Sequence, residues 1–146
     1  MIRTLVIACG NPLRADDGIA WRVAEALEDA VDDADVRIRT VRQLTPELAE
    51  DVSQAETVFF VDAADSENPG SVKVELLREM PAMSACLTHS VRPATLLWLA
   101  RRICGKAPAR AFLVTIAGSR FDFSEDLSEP AALAVSEAVN RIQSIL

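Results

Sequence analysis

Arg3-Thr4-Leu5-Val6-Ile7-Ala8-Cys9-Gly10 is an aliphatic, partly β-branched run with no charge after its first residue, stopped by a glycine. Such a run reads as a strand buried on both faces. From Gly18 to Val31 the pattern changes: Ile19, Val23, Ala24 and Leu27 recur at helical spacing, with Glu25, Glu28 and Asp29 between them. That is an amphipathic helix. A doubly buried strand feeding such a helix is the opening of an α/β fold with a mainly parallel sheet.

The alternation continues along the chain. Val36, Ile38 and Thr40 alternate with Arg37 and Arg39, which suits an edge strand half open to water. Thr45-Pro46-Glu47 starts a short helix to about Ser53, with a capping hydroxyl, proline at the first helical position and an early acid. Thr57-Val58-Phe59-Phe60-Val61 is a second fully buried strand, ending at Asp62, and Val72 to Leu77 is an alternating one. Only the turn-rich Ser66-Glu67-Asn68-Pro69-Gly70 separates these two, too little for a parallel crossover, so the second of them runs antiparallel. Arg92-Pro93 opens a helix through Leu96, Leu97, Leu99, Ala100 and Ile103, stopped by Gly105. Ala111 to Ile116 is a central strand. Ser128 caps a last helix from Pro130, with Leu133, Val135, Ala138, Val139 and Ile142 turned inward. The sum is a three-layer α/β/α sandwich around a five-stranded, mostly parallel sheet.

At 146 residues the chain has the size of one domain, 1–146, and half its residues are hydrophobic, ample for one core. Its 22 acids and 15 bases leave a net charge of −7. That balance opposes binding to nucleic acid or to anionic lipid and favours a partner with a basic surface. No signal peptide is visible, and no apolar stretch reaches the roughly 18 residues of a membrane span. Cys9, Cys86 and Cys104 are odd in number and unclustered, fitting neither a disulfide framework nor a zinc-finger spacing. The expected setting is the cytoplasm, with reduced thiols. Cys9 and Cys86 read as small buried hydrophobes, and Trp21 and Trp98 as packing residues.

In open parallel sheets, ligands sit outside the carboxyl ends of the strands. Three polar features fall there: the loop Gly10-Asn11-Pro12-Leu13-Arg14-Ala15-Asp16-Asp17-Gly18, Asp62 at its strand end, and His89, the one histidine, in Thr88-His89-Ser90. One imidazole and two carboxylates form a set suited to nickel, zinc or manganese. Three protein ligands would leave positions open for water or a peptide carbonyl, which an open metal can activate or polarise. Each residue also has a structural reading. Acids at a helix start offset its dipole, and a lone histidine is more often a hydrogen-bonder than a ligand. Asp62 is harder to dismiss, because an acid ending an apolar strand costs desolvation unless paired or used. No Ser-His-Asp, Cys-His or His-Glu-x-x-His constellation can be assembled.

The nine-residue loop resembles the Gly-Asn-x-Leu-x-x-Asp-Asp-Gly signature of the hydrogenase maturation proteases. Gln43-Leu44-Thr45-Pro46-Glu47-Leu48, Val61-Asp62-Ala63, Thr88-His89-Ser90 and Leu127-Ser128 follow in that family's order, so the resemblance spans the chain. It implies a phosphorylase/hydrolase-like fold with sheet order 2-1-3-5-4 and the fourth strand antiparallel. It implies Asp17, Asp62 and His89 as the metal-binding and catalytic residues. The activity it implies is a single cleavage that removes the C-terminal extension of a nickel-loaded hydrogenase large-subunit precursor, with the substrate's nickel as recognition element; another divalent metal could occupy the free enzyme. A monomer is expected. Ala20 stands where many members have glycine, and Gln43-Leu44-Thr45 replaces a Gly-Gly-Thr of other branches, which bears on the class of hydrogenase processed.

Three other readings stand beside this one. A family member without protease activity would serve as a metal-sensing chaperone of hydrogenase assembly. A receiver-like phosphoacceptor domain also has an early acid pair and a strand-end Asp, but places the acids directly after the strand and needs a late lysine, where this chain has Ala117-Gly118-Ser119-Arg120. A nucleotide-binding module is weaker, since the loop lacks Gly-x-Gly-x-x-Gly and its two acids would repel a pyrophosphate.

Overall fold

The computed structural model describes residues 2–81 and 91–146. Strand β1 (Ile2–Cys9) leads through a 3-10 turn at Ala15–Gly18 into helix α1 (Ile19–Ala30). Then come β2 (Val36–Val41), a 3-10 turn at Pro46–Leu48, α2 (Ala49–Ser53) and β3 (Ala55–Asp65). Strand β4 (Val72–Leu76), helix α3 (Pro93–Cys104), β5 (Arg110–Gly118) and α4 (Glu129–Gln143) complete the described fold.

The sheet order is β2-β1-β3-β5-β4, parallel throughout except for β4 against β5, as the resemblance implies. A receiver-type sheet runs 2-1-3-4-5, so that alternative does not match. Alternation along the central strands sorts their side chains into two cores. Val6, Ala8, Phe59, Val61, Val114 and Ile116 pack under α1 and α4. Leu5, Ile7, Val58, Phe60 and Ala111 pack under α2 and α3. The three layers follow directly from strands that are apolar on both faces.

Several local expectations are corrected. Leu133 is 72% exposed and Ile103 67% exposed, so neither joins the core; Ala138, Val139 and Ile142 do face inward on α4 as expected, and Ala131 and Ala134 extend that stripe in place of Leu133. The Thr45 hydroxyl does not cap its helix. It bonds the Glu47 carboxylate and holds that acid below its usual pKa. Ser128 does cap α4, accepting from the Ala131 amide at 3.4 Å. Gly105, with φ +80, is the left-handed residue ending α3. Strand β3 does not stop at Asp62; it runs on to Asp65, paired with β5 as far as Asp65 opposite Gly118. Its pairing with β1 ends earlier, at Ala8 opposite Val61. Asp62 is therefore the first residue of β3 beyond the reach of β1, where the sheet steps down.

Candidate functional site

The chain leaves β1 at that step, and the loop it forms closes tightly on itself. A Cβ on Gly10 would stand 2.0 Å from the Asp17 carbonyl oxygen, and one on Gly18 would stand 2.6 Å from the Pro12 Cα. Gly10 also has φ +158. Glycine at both ends of the motif is thus a requirement of close approach. Inside the loop the Asn11 side chain accepts from the Leu13 amide at 2.9 Å. The Asn11 amide donates to Asp17 Oδ2 at 3.0 Å.

The two adjacent acids have opposite fates. Asp16 is wholly buried. Its Oδ2 accepts from the Ser119 amide (2.7 Å), the Arg120 amide (3.0 Å) and the Ser128 hydroxyl (2.7 Å), and its Oδ1 from the Ser128 amide (2.7 Å). Desolvation pushes its carboxyl up, but these bonds outweigh it and hold the group below its ordinary pKa. Gly118 passes so close that a Cβ would lie 2.6 Å from that of Asp16. Asp16 is the knot that ties the first loop to the end of β5 and the cap of α4. Asp17, half-buried, takes no part in that knot; it accepts from the Asn11 amide and its charge is felt by Asp62 and Cys9.

Asp62 stands exposed at its tip, bonded to the Ala63 amide by Oδ1 at 2.8 Å. Its carboxyl is pushed up to about 6, first by desolvation and then by the Asp17 charge, against the pull of that amide bond. Cys9 completes the group. It is half-buried, its Sγ 3.6 Å from the Arg42 carbonyl oxygen. Burial, then Asp62, then Asp17 raise its thiol to about 11. A thiol so raised stays protonated at neutral pH and is no nucleophile. The residue read as a buried hydrophobe is instead a neighbour of both acids, a placement its apolar strand context concealed.

Asp17 and Asp62 are thus brought to the same end of the sheet and within each other's field. His89, the third expected ligand, lies outside the described residues, as do Cys86 and the Thr88-His89-Ser90 motif. Among the described residues no three His, Cys, Asp or Glu side chains cluster closely enough to hold a metal by themselves. The donors present are hard carboxylates with an inert thiol alongside, a half-site that fits a divalent cation needing further ligands from elsewhere. The Cys9 thiol donates to the Arg42 carbonyl and its sulfur accepts from the Leu44 backbone amide, which brings the segment before Thr45 to the same end of the sheet. Trp21 acts as packing with a polar tether, its Nε1 donating to the Val41 carbonyl at 3.0 Å.

This is the architecture of the hydrogenase maturation endopeptidases. The chain is 27% identical to a hydrogenase 2 maturation peptidase from a Thaumarchaeota archaeon, covering 98% of this chain and 97% of that one, with a TM-score of 0.75. The hydrogenase maturating endopeptidase HybD from E. coli superposes with a TM-score of 0.78 at 24% identity, covering 99% and 92%. The [NiFe] hydrogenase maturation protease HycI from Thermococcus kodakarensis gives 0.76 at 21% identity, covering 99% and 92%. No protein-family model and no curated protein matches the chain. The fold that the resemblance implies is thus shared with these structures over nearly the whole chain. Among the described residues no helix is long and apolar enough to cross a membrane.

Proposed function

We propose that this protein is the endopeptidase that trims the C-terminal extension from a nickel-loaded precursor of a nickel-iron hydrogenase large subunit, working as a monomer in the cytoplasm. The observation that carries the reading is the convergence of Asp17 and Asp62 at the step beyond β1, with the Asp62 carboxyl raised to about 6. Two carboxylates that repel each other gain from a shared cation, which discharges both. In this reading the cation is the nickel of the substrate, and His89 supplies the remaining protein ligand.

The nickel carried by the precursor contributes Lewis acidity at the scissile carbonyl. The chain's own groups do the rest. Asp17, fixed by the Asn11 amide, orients the precursor's metal centre. Asp62, on the neighbouring strand end, would hold the same cation, and either it or Asp17 would assist the attacking water as base. The closed Gly10–Gly18 loop holds Asp17 in place for this role.

The test mixes the protein with nickel-loaded and nickel-free large-subunit precursor and scores loss of the extension by mass. Cleavage of the loaded precursor alone, abolished in Asp17→Ala and His89→Ala, is the expected result. Nickel-dependent binding without cleavage would replace this reading with that of a metal-sensing chaperone. Equal cleavage of both precursors would remove nickel from the recognition step.

A further inference from the structure

Strand pairing sets the side chains of a sheet face into rows. Asp62 of β3 lies opposite Thr115 of β5, and Thr115 lies opposite Lys73 of β4. Alternation along each strand decides which face these residues take. Val61, Val114 and Ile116, with Val72 and Val74 against them, pack under α1 and α4. The residues between them, Asp62, Thr115 and Lys73, therefore point to the other face. Cys9, which feels the charge of both acids, packs on that same face. The row thus begins at the candidate site and crosses β5 to the β4 edge of the sheet.

It ends in a cation. The Lys73 side chain is 70% exposed, and its ammonium lies 3.0 Å from Glu75, the next residue of β4 on that face. Glu75 is opposite Leu113, one step further from Asp62. An ion pair so open to water is weak and exchanges readily for another carboxylate. Lys73 does not neutralise the candidate site: the charge acting on Asp62 is that of Asp17. Between them stands Thr115, short and half-buried. Neighbouring strands are about 4.8 Å apart, so Lys73 stands about 10 Å along the row from Asp62, the span of about three extended residues.

Resting on the endopeptidase reading, we infer that Lys73 is a specificity-determining residue for the precursor: with the bond to be cut at Asp62, its ammonium takes a carboxylate side chain about three residues along the precursor. Thr115 is the floor under the residues between. On binding, the precursor's acid replaces Glu75 as the partner of Lys73. The contact lies outside the reacting atoms and leaves the chemical step alone.

The experiment compares wild type, Lys73→Met, Lys73→Arg and Glu75→Gln on the nickel-loaded large-subunit precursor encoded by the same genome. Lys73→Met should raise KM about 3- to 10-fold at low salt, with kcat within about twofold and the melting temperature unchanged. Lys73→Arg should stay near wild type, and Glu75→Gln, which frees the ammonium, should lower KM. The rise in Lys73→Met should shrink as salt is added, a response to screening that damage to the fold would not give. Changing each acid within about four residues of the cut to its amide finds the partner: one such change should raise KM for wild type and add nothing in Lys73→Met. A KM for Lys73→Met within about 1.5-fold of wild type, or no precursor acid that couples to Lys73, overturns the inference. Should wild type cleave no precursor, the endopeptidase reading falls separately. Direct titration of precursor onto wild type and Lys73→Met then decides: weaker binding by the variant upholds the contact, and equal or undetectable binding by both overturns it.

Discussion

Asp16 offers the sharpest quantitative test of how this site is built. Substitution by alanine strands four donors at once: three backbone amides and the Ser128 hydroxyl. Ser119 and Arg120 are exposed, so water can reach their amides, whereas Ser128 is buried. Two buried orphan donors at about 1–3 kcal/mol each, with a smaller loss at the two rehydrated ones, come to about 3–5 kcal/mol. For a chain of this size that is about 10–15 °C in melting temperature. Asparagine keeps the shape and can present its oxygen to the three donors on Oδ2, leaving its NH2 facing the Ser128 amide. Its cost is about 1–3 kcal/mol. The sign with pH follows from a carboxyl held below its unfolded value. Its contribution is fully present above the unfolded pKa of about 4 and disappears as pH falls through the lower folded value. Urea unfolding followed by far-ultraviolet circular dichroism at pH 7 and pH 3 measures this. The gap between wild type and Asp16→Asn should narrow at the lower pH. An Asp16→Ala variant less than about 1 kcal/mol below wild type at pH 7 would refute the assignment of a structural knot.

The neighbouring acids behave differently. Asp17→Asn keeps an oxygen for the Asn11 amide and should melt within about 2 °C of wild type while losing precursor cleavage; the pair of measurements separates site from scaffold. Asp62 has a raised pKa, so the folded state binds more protons than the unfolded between about 4 and 6, and its charge destabilises the fold as pH rises through that window. Asp62→Asn should therefore be more stable than wild type at pH 7, by at most about 1 kcal/mol once solvent screening is allowed for, with the difference vanishing near pH 4 in thermal melts. Gly118→Ala forces a methyl to 2.6 Å from the Asp16 Cβ and should cost about 1–3 kcal/mol by denaturant titration.

What the sequence made legible was decided by side chains whose burial has no competitor. Leu5, Ile7, Val58 and Phe60 on one face, and Val6, Ala8, Phe59 and Val61 on the other, could only belong to strands covered on both sides. The missing helix before Val72 was enough to reverse β4. The site was half legible: Asp17 and Asp62 stood out, but adjacent acids in a motif carry no sign of which one turns inward. That choice is made by Ser119, Arg120 and Ser128, more than a hundred residues away, so no local pattern announces it. Cys9 was hidden for a related reason. Its neighbours along the chain are apolar, and its neighbours in space are the two acids. Leu133 misled because the first turns of α4 bury the alanines Ala131 and Ala134, whose size gives no signal, while the larger Val139 and Ile142 mark the face only further on.

The closure of the Gly10–Gly18 loop has one more consequence. With glycines packed against backbone at both ends, and with its amides and carbonyls committed to Asn11, Asp17, Arg120 and Ser124, this loop has no conformational search left to make when a partner arrives. Under the proposed function, the entropy of forming the encounter would then be borne on one side, by the precursor's C-terminal extension as it reaches the step beyond β1. Discrimination among precursors would become a property of how readily each extension adopts a single extended path. An extension too short to reach, or already folded against its own domain, would be rejected before any bond is at risk.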